Sequence, residues 1–172
     1  MTNKKNKNMI KKSILLILII CASCSFETPT AFTEVALQEN VFSLNNKKST
    51  FKEVIANHKG KKILVDFWAS WCRDCIVGMP KVKALQKEFP EVAFLFLSVD
   101  ENKRSWKKVV QRLQLKGNHY NLPKGMKNGE LVDFVGLSWI PRYMVIDEHG
   151  KIVLFKATDA SDKNIIEALK KQ

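Results

Sequence analysis

Two short runs are apolar almost from end to end, ILVDFW at 63–68 and VAFLFLSV at 92–99. A strand that is apolar on both faces must be covered on both faces, as the central strands of layered α/β sheets are. Between the runs, Val82, Leu85 and Phe89 recur at helical spacing. Strand, helix and strand then follow one another, which favours parallel pairing and an α/β fold. Four further helices are expected. Phe51, Val54 and Ile55 mark one, opened by a capping box of Thr50 and Glu53. Trp106, Val109, Val110 and Leu113 mark another, Leu131, Phe134 and Val135 a short one, and Ile165, Ile166 and Leu169 the last. YMVI at 143–146 and IVLF at 152–155 flank the turn DEHGK, an antiparallel hairpin. Residues 116–129, rich in Gly, Asn and Lys, carry no clear pattern.

The chain has 172 residues, enough for one domain with its own core. Its formal charge of +12 is uneven, since residues 1–23 hold Lys4, Lys5, Lys7, Lys11 and Lys12 and no acid. Without them the charge is +7, from 24 basic and 17 acidic residues. The lysines precede an apolar run at 14–20, far short of the roughly 20 residues that cross a bilayer. A basic start, a short apolar stretch and small residues after it make a secretory signal, and Met9 begins an equally good one. CASC at 21–24 resembles a bacterial lipobox, with Ala22 and Ser23 as the small residues before a lipidated Cys24; Cys21 stands where the pattern prefers Leu. The expected organisation is a lipoprotein-type signal at 1–23, a tether at 24–34 and a domain at 35–172.

Two CxxC pairs, Cys21/Cys24 and Cys72/Cys75, raise the question of zinc. A structural zinc site needs four ligands from one folded unit. The first pair falls in the targeting segment, and His58, His119 and His149 are isolated, so no metal site is expected. The lysines are scattered, as in KGKK at 59–62, without interleaved aromatics, and no nucleic-acid role is expected. In WASWCRDC the central pair stands where the first strand run ends and a helix begins, the usual place for a site in an open α/β sheet. Sulfurs three residues apart in a helical turn share one side. A helix N-terminus favours the thiolate of Cys72. A ring this short adds little stability to a fold, so its value lies in opening and closing.

An ordered set of segments then resembles the thioredoxin fold, and more closely the TlpA/ResA-type thioredoxins that bacteria hold outside the cytoplasm. The segments are FWASWC at 67–72, GMPKVKAL at 78–85, SVD at 98–100, IPRYMVIDEHGKIV at 140–153 and a last amphipathic helix. The resemblance implies a central mixed β-sheet flanked by helices and a thiol–disulfide oxidoreductase, more a reductant than an oxidant. It makes Cys72 the attacking sulfur, Cys75 the resolving one and Asp66 the buried acid that assists proton transfer. Pro80 kinks the helix, Pro141 is the cis proline opposite the disulfide, Ile140 offers backbone groups to a substrate, and Trp71 forms part of the contact surface. It implies no dissociable cofactor, protein dithiols and disulfides as substrates, a membrane-bound electron donor and a monomer in the cell envelope. A thioredoxin-fold lipoprotein that binds without turnover is the rival. Three departures stand out. Arg73 and Asp74 lie between the cysteines, with opposing effects on the thiolate. Phe96 replaces a lysine usual near the buried acid, which leaves Asp66 more desolvated. Arg142 replaces a threonine usual after the cis proline, and either favours acidic substrate segments or points into solvent.

Overall fold

The computed structural model describes residues 27–171, so the signal segment, Cys21 and Cys24 lie outside the described residues. In chain order the elements are α1 (Glu34–Leu37), β1 (Asn40–Ser43), β2 (Lys48–Thr50), α2 (Phe51–Ala56), β3 (Ile63–Trp68), α3 (Arg73–Glu88) and β4 (Ala93–Ser98). Then come α4 (Lys103–Leu113), β5 (Asn118–Asn121), α5 (Glu130–Phe134), β6 (Arg142–Ile146), β7 (Ile152–Ala157) and α6 (Lys163–Lys170). The strands form one mixed sheet in the order β2-β1-β5-β4-β3-β6-β7. β3 pairs parallel with β4 and β4 with β5, and the other pairings are antiparallel.

The two apolar runs are the central strands. Every residue of β3 is buried, and so is every residue of β4 except Ala93. The hairpin β6–β7 and the Thr50–Glu53 capping box are both present. Register across the sheet aligns Tyr143 with Asp66, Asp66 with Phe96, and Phe96 with His119. Partners in register share a face, so these four side chains form one row. α3 covers that face, since a side chain at its Gly78 would meet the Tyr143 hydroxyl at 3.6 Å. Cys75, Met79, Val82 and Leu85 are its buried stripe. Among the described residues, no helix is long and apolar enough to cross a membrane.

Three strands and one helix lie where the pattern gave no sign. β5 is NHYN, whose His119 and Asn121 are buried although polar. His119 stacks on Phe96 at 4.7 Å and its Nε2 shares a hydrogen bond of 3.1 Å with the Leu115 carbonyl. Gly117, just before it, has φ of +128°, and a Cβ there would lie 2.7 Å from the Phe94 carbonyl oxygen; only glycine fits. The end of the expected tether is part of the fold. Ile152 N–H donates to the Thr30 carbonyl at 2.8 Å, Phe32 packs on Phe51 and Phe134 with centroids at 5.1 and 5.2 Å, and Thr33 caps α1. The packed chain thus begins by Thr30, ahead of the boundary expected at residue 35.

Candidate active site

β3 ends at Trp68, the chain turns through 69–72, and α3 starts at Arg73. Cys72 is the N-cap of α3, and its Sγ accepts the Cys75 N–H at 3.1 Å. Sulfur thus takes the place usually held by a hydroxyl or carboxylate oxygen at a helix start. There the orphan N–H groups and the dipole of a 16-residue helix favour negative charge. Cys72 and Cys75 are joined as a disulfide, with Cα atoms 5.3 Å apart. Cys72 is 7% exposed and Cys75 is 0% exposed. Attack from outside therefore reaches Cys72 first. Arg73 and Asp74 are both exposed.

The turn is held from the next strand. Asp100, buried just after β4, accepts from Ser70 N–H at 2.8 Å, from Ser70 Oγ–H at 2.5 Å and from Ser98 Oγ–H at 2.7 Å. Asn121 Nδ2 donates to the Asp100 and Ser98 carbonyls at 2.7 and 3.3 Å. β3, β4 and β5 thereby fix the backbone that carries Cys72. The segment before β6 closes the other side. The Ile140 carbonyl oxygen lies 3.8 Å from Cys72 Sγ, and the Ile140–Pro141 bond is cis. Trp71 and Trp139 stand exposed at 63% and 60%. A cleft of about 320 Å³ runs past Asp74, Val77, Trp139 and Pro141. The sequence reading did not single out Trp139, although its place directly before IPR was the available signal.

Asp66 lies in the row covered by α3, the helix that buries Cys75. It is 2% exposed and neither carboxylate oxygen has a hydrogen-bond partner among the described residues. Burial pushes its carboxyl up to about 8, because the charged form loses water and gains no donor. Phe96 beside it, in the lysine position, contributes no charge. The Tyr143 hydroxyl is likewise buried without a partner, and burial together with the nearby Asp66 charge holds its pKa well above the ordinary value. Arg142 does neither of the things expected of it. It is buried, and it donates to the Val135 and Gly136 carbonyls at 2.9 and 3.4 Å, at the end of α5, where a helix dipole attracts a cation.

Residues 60–152 match the thioredoxin-like family. Among curated relatives, the thiol-disulfide oxidoreductase ResA of Bacillus thuringiensis subsp. konkukian is 25% identical, with 98% of each chain covered. The thioredoxin-like protein YneN of Bacillus subtilis is 29% identical, with 84% of this chain and 88% of that protein covered. Among solved structures, that of a proposed thiol-disulfide oxidoreductase from Bacteroides vulgatus, determined in solution, superposes with a TM-score of 0.65. It is 30% identical and covers 80% of this chain and 87% of its own. The chain belongs to the thioredoxin-like family, and with Cys72 and Cys75 close enough to bond it is a thiol–disulfide oxidoreductase.

Proposed function

We propose that this protein is a lipid-anchored, extracytoplasmic reductase of protein disulfides. The observation that carries the chemistry is the unequal exposure of the two sulfurs, with Cys72 at the helix N-cap and Cys75 sealed behind it. In the reduced form, the Cys72 thiolate attacks one sulfur of a substrate disulfide. A bond forms between Cys72 and the substrate, and the other substrate sulfur leaves as a thiolate and takes a proton. Cys75 then attacks Cys72 Sγ and expels the second substrate thiolate. The substrate has gained two electrons, and the chain holds the Cys72–Cys75 disulfide.

Asp66 exchanges the proton of Cys75. Its carboxyl, up at about 8, is close enough to neutral pH to accept that proton when Cys75 attacks and to return it when the pair is reduced again. Trp71 and the backbone of Ile140 and Pro141 flank Cys72 and receive the substrate chain. The lysine-led leader and the small residues before Cys24 support a lipid there and a place outside the cytoplasm. A membrane-bound donor then returns the electrons, and the protein works as a monomer.

Cys75→Ser tests these roles. It removes the resolving thiol at nearly constant volume. The variant is expected to accumulate reductant-sensitive covalent adducts in the cell envelope, which mass spectrometry of the trapped partners would name. No adducts in a folded, expressed variant, or adducts that survive the further change Cys72→Ser, would refute the assignment.

A further inference from the structure

The redox pair has a different neighbour on each side. The small cleft past Trp139 and Pro141 contributes Asp74, while its other charges, Lys81 and Asp159, pair with each other at 2.9 Å. On the opposite side, Ser70 and Trp71 form part of a larger cleft of about 770 Å³. Half-buried Val109 and Met126 give it apolar surface. Four exposed cations line it, Lys108 and Arg112 from α4 and Lys124 and Lys127 from the loop after β5. Lys108 and Arg112 are four residues apart and so project from one helix face. Lys124 engages the buried Glu39 at 3.4 Å. Lys108, Arg112 and Lys127 have no carboxylate within ion-pair distance among the described residues. Of the two acids in the lining, Asp100 is turned inward onto Ser70 and Ser98, which leaves Glu101 as the exposed one.

We infer that this cleft receives an acidic stretch of the substrate polypeptide, close to the cysteine that reacts with Cys72. The inference rests on the reading that protein disulfides are the substrates, and it adds the charge by which they are chosen. The cations are spread over a helix and a loop, which suits successive side chains of an extended chain. The apolar patches between them suit its aliphatic stems. Because Trp71 belongs to the same lining, whatever fills the cleft touches the residue next to the attacking sulfur. Exposed charges of this kind act mainly on the rate of encounter and on the choice of partner.

The test uses the full chain, reduced beforehand and freed of reductant. Three peptides carry the same disulfide ring, flanked on one side by glutamates, serines or lysines. Each reaction consumes the dithiol of the chain and ends after one turnover, so the rate of peptide reduction is read directly. At low salt the glutamate peptide is expected to react roughly tenfold faster than the lysine peptide. That difference should shrink at high salt, where screening makes the attraction between exposed charges short-ranged. The variant K108E/R112E/K127E should reverse the order, and K108Q/R112Q/K127Q should abolish it. Ratios between peptides cancel any change common to all three. Equal rates for the three peptides, or an order that survives reversal of the cleft charges, would overturn the inference. Failure of all three peptides to react, the serine peptide included, would instead overturn the reductase reading beneath it.

Discussion

Asp66 is a carboxyl group buried away from water, with no donor among the described residues to replace the water. Its ordinary value is 3.8, and burial raises it to about 8. The folded chain therefore holds this proton more tightly than the unfolded chain does. Below about pH 4 the group is protonated in both states and carries no penalty. As the pH rises toward 8 the unfolded state loses the proton first, so stability falls, and above 8 the full penalty is present. Asp66→Asn removes the charge and keeps the shape. We expect the variant to be more stable than the parent at pH 9, by on the order of a few kcal/mol. The gain should vanish near pH 4. Urea unfolding of the disulfide form at several pH values measures this, and a gain independent of pH would contradict it. The same substitution should slow release of the mixed disulfide and remove an inflection near pH 8 from its pH profile. A merely structural Asp66 would not produce that second effect. A group that weakens the fold at working pH and sits beneath the redox helix is what a proton-exchange role requires.

At the scale of elements, the unit that works is β3, its turn and α3, with the Asp100 brace behind it. Asp100 satisfies Ser70 and Ser98 together. Asp100→Ala leaves the buried Ser98 hydroxyl and the half-buried Ser70 donors unpaired, which costs about 1–3 kcal/mol. It also frees the turn that aims Cys72. Thermal unfolding should show the loss, and reduction of a neutral peptide disulfide should slow beyond what the lost stability explains. Unchanged kinetics would mean that α3 alone aims the sulfur. This unit was largely legible in the sequence, because its signals are local. A run of six to eight largely apolar residues is too short for a typical helix and suits a strand covered on both faces, and the CxxC at the end of one such run precedes a helical pattern. The brace was half legible, since SVD belonged to the recognised segments while its hydrogen bonds to Ser70 depend on tertiary packing. β5 was not legible. NHYN carries no apolar alternation, and it becomes a strand because β4 and β1 need a partner and because Phe96 gives the His119 ring a stacking surface. Arg142 escaped for the same reason, since the carbonyls that hold it belong to the end of α5.

At the scale of the whole molecule, the stretch before α1 ties distant parts together. Phe32 packs edge-on to Phe51 at the start of α2 and tilts onto Phe134 in α5, which meets Phe155 of β7 at 5.8 Å. Thr30 adds a backbone bond to Ile152 at the start of β7. Residues read as a tether thus join α2 and α5 to the edge strand β7. If Cys24 carries a lipid, only 25–29 remain between anchor and packed chain. Extended chain covers at most about 3.5 Å per residue, so the domain would be held within roughly 20 Å of the membrane surface. Phe32→Ala should cost about 1–3 kcal/mol, below the value for a fully buried phenylalanine because Phe32 is half-buried. Denaturant unfolding measures that loss. Hydrogen exchange of the same variant should show faster exchange at Ile152 and in α1, with β3 and β4 unchanged. A loss of protection spread evenly over the sheet would mean that the segment nucleates the fold. A loss confined to its own amides, with stability unchanged, would mean that it merely rests there. The expected intermediate outcome fits a domain whose redox centre is built on β3 and α3, while the stretch that leads into α1 is held by a separate aromatic cluster.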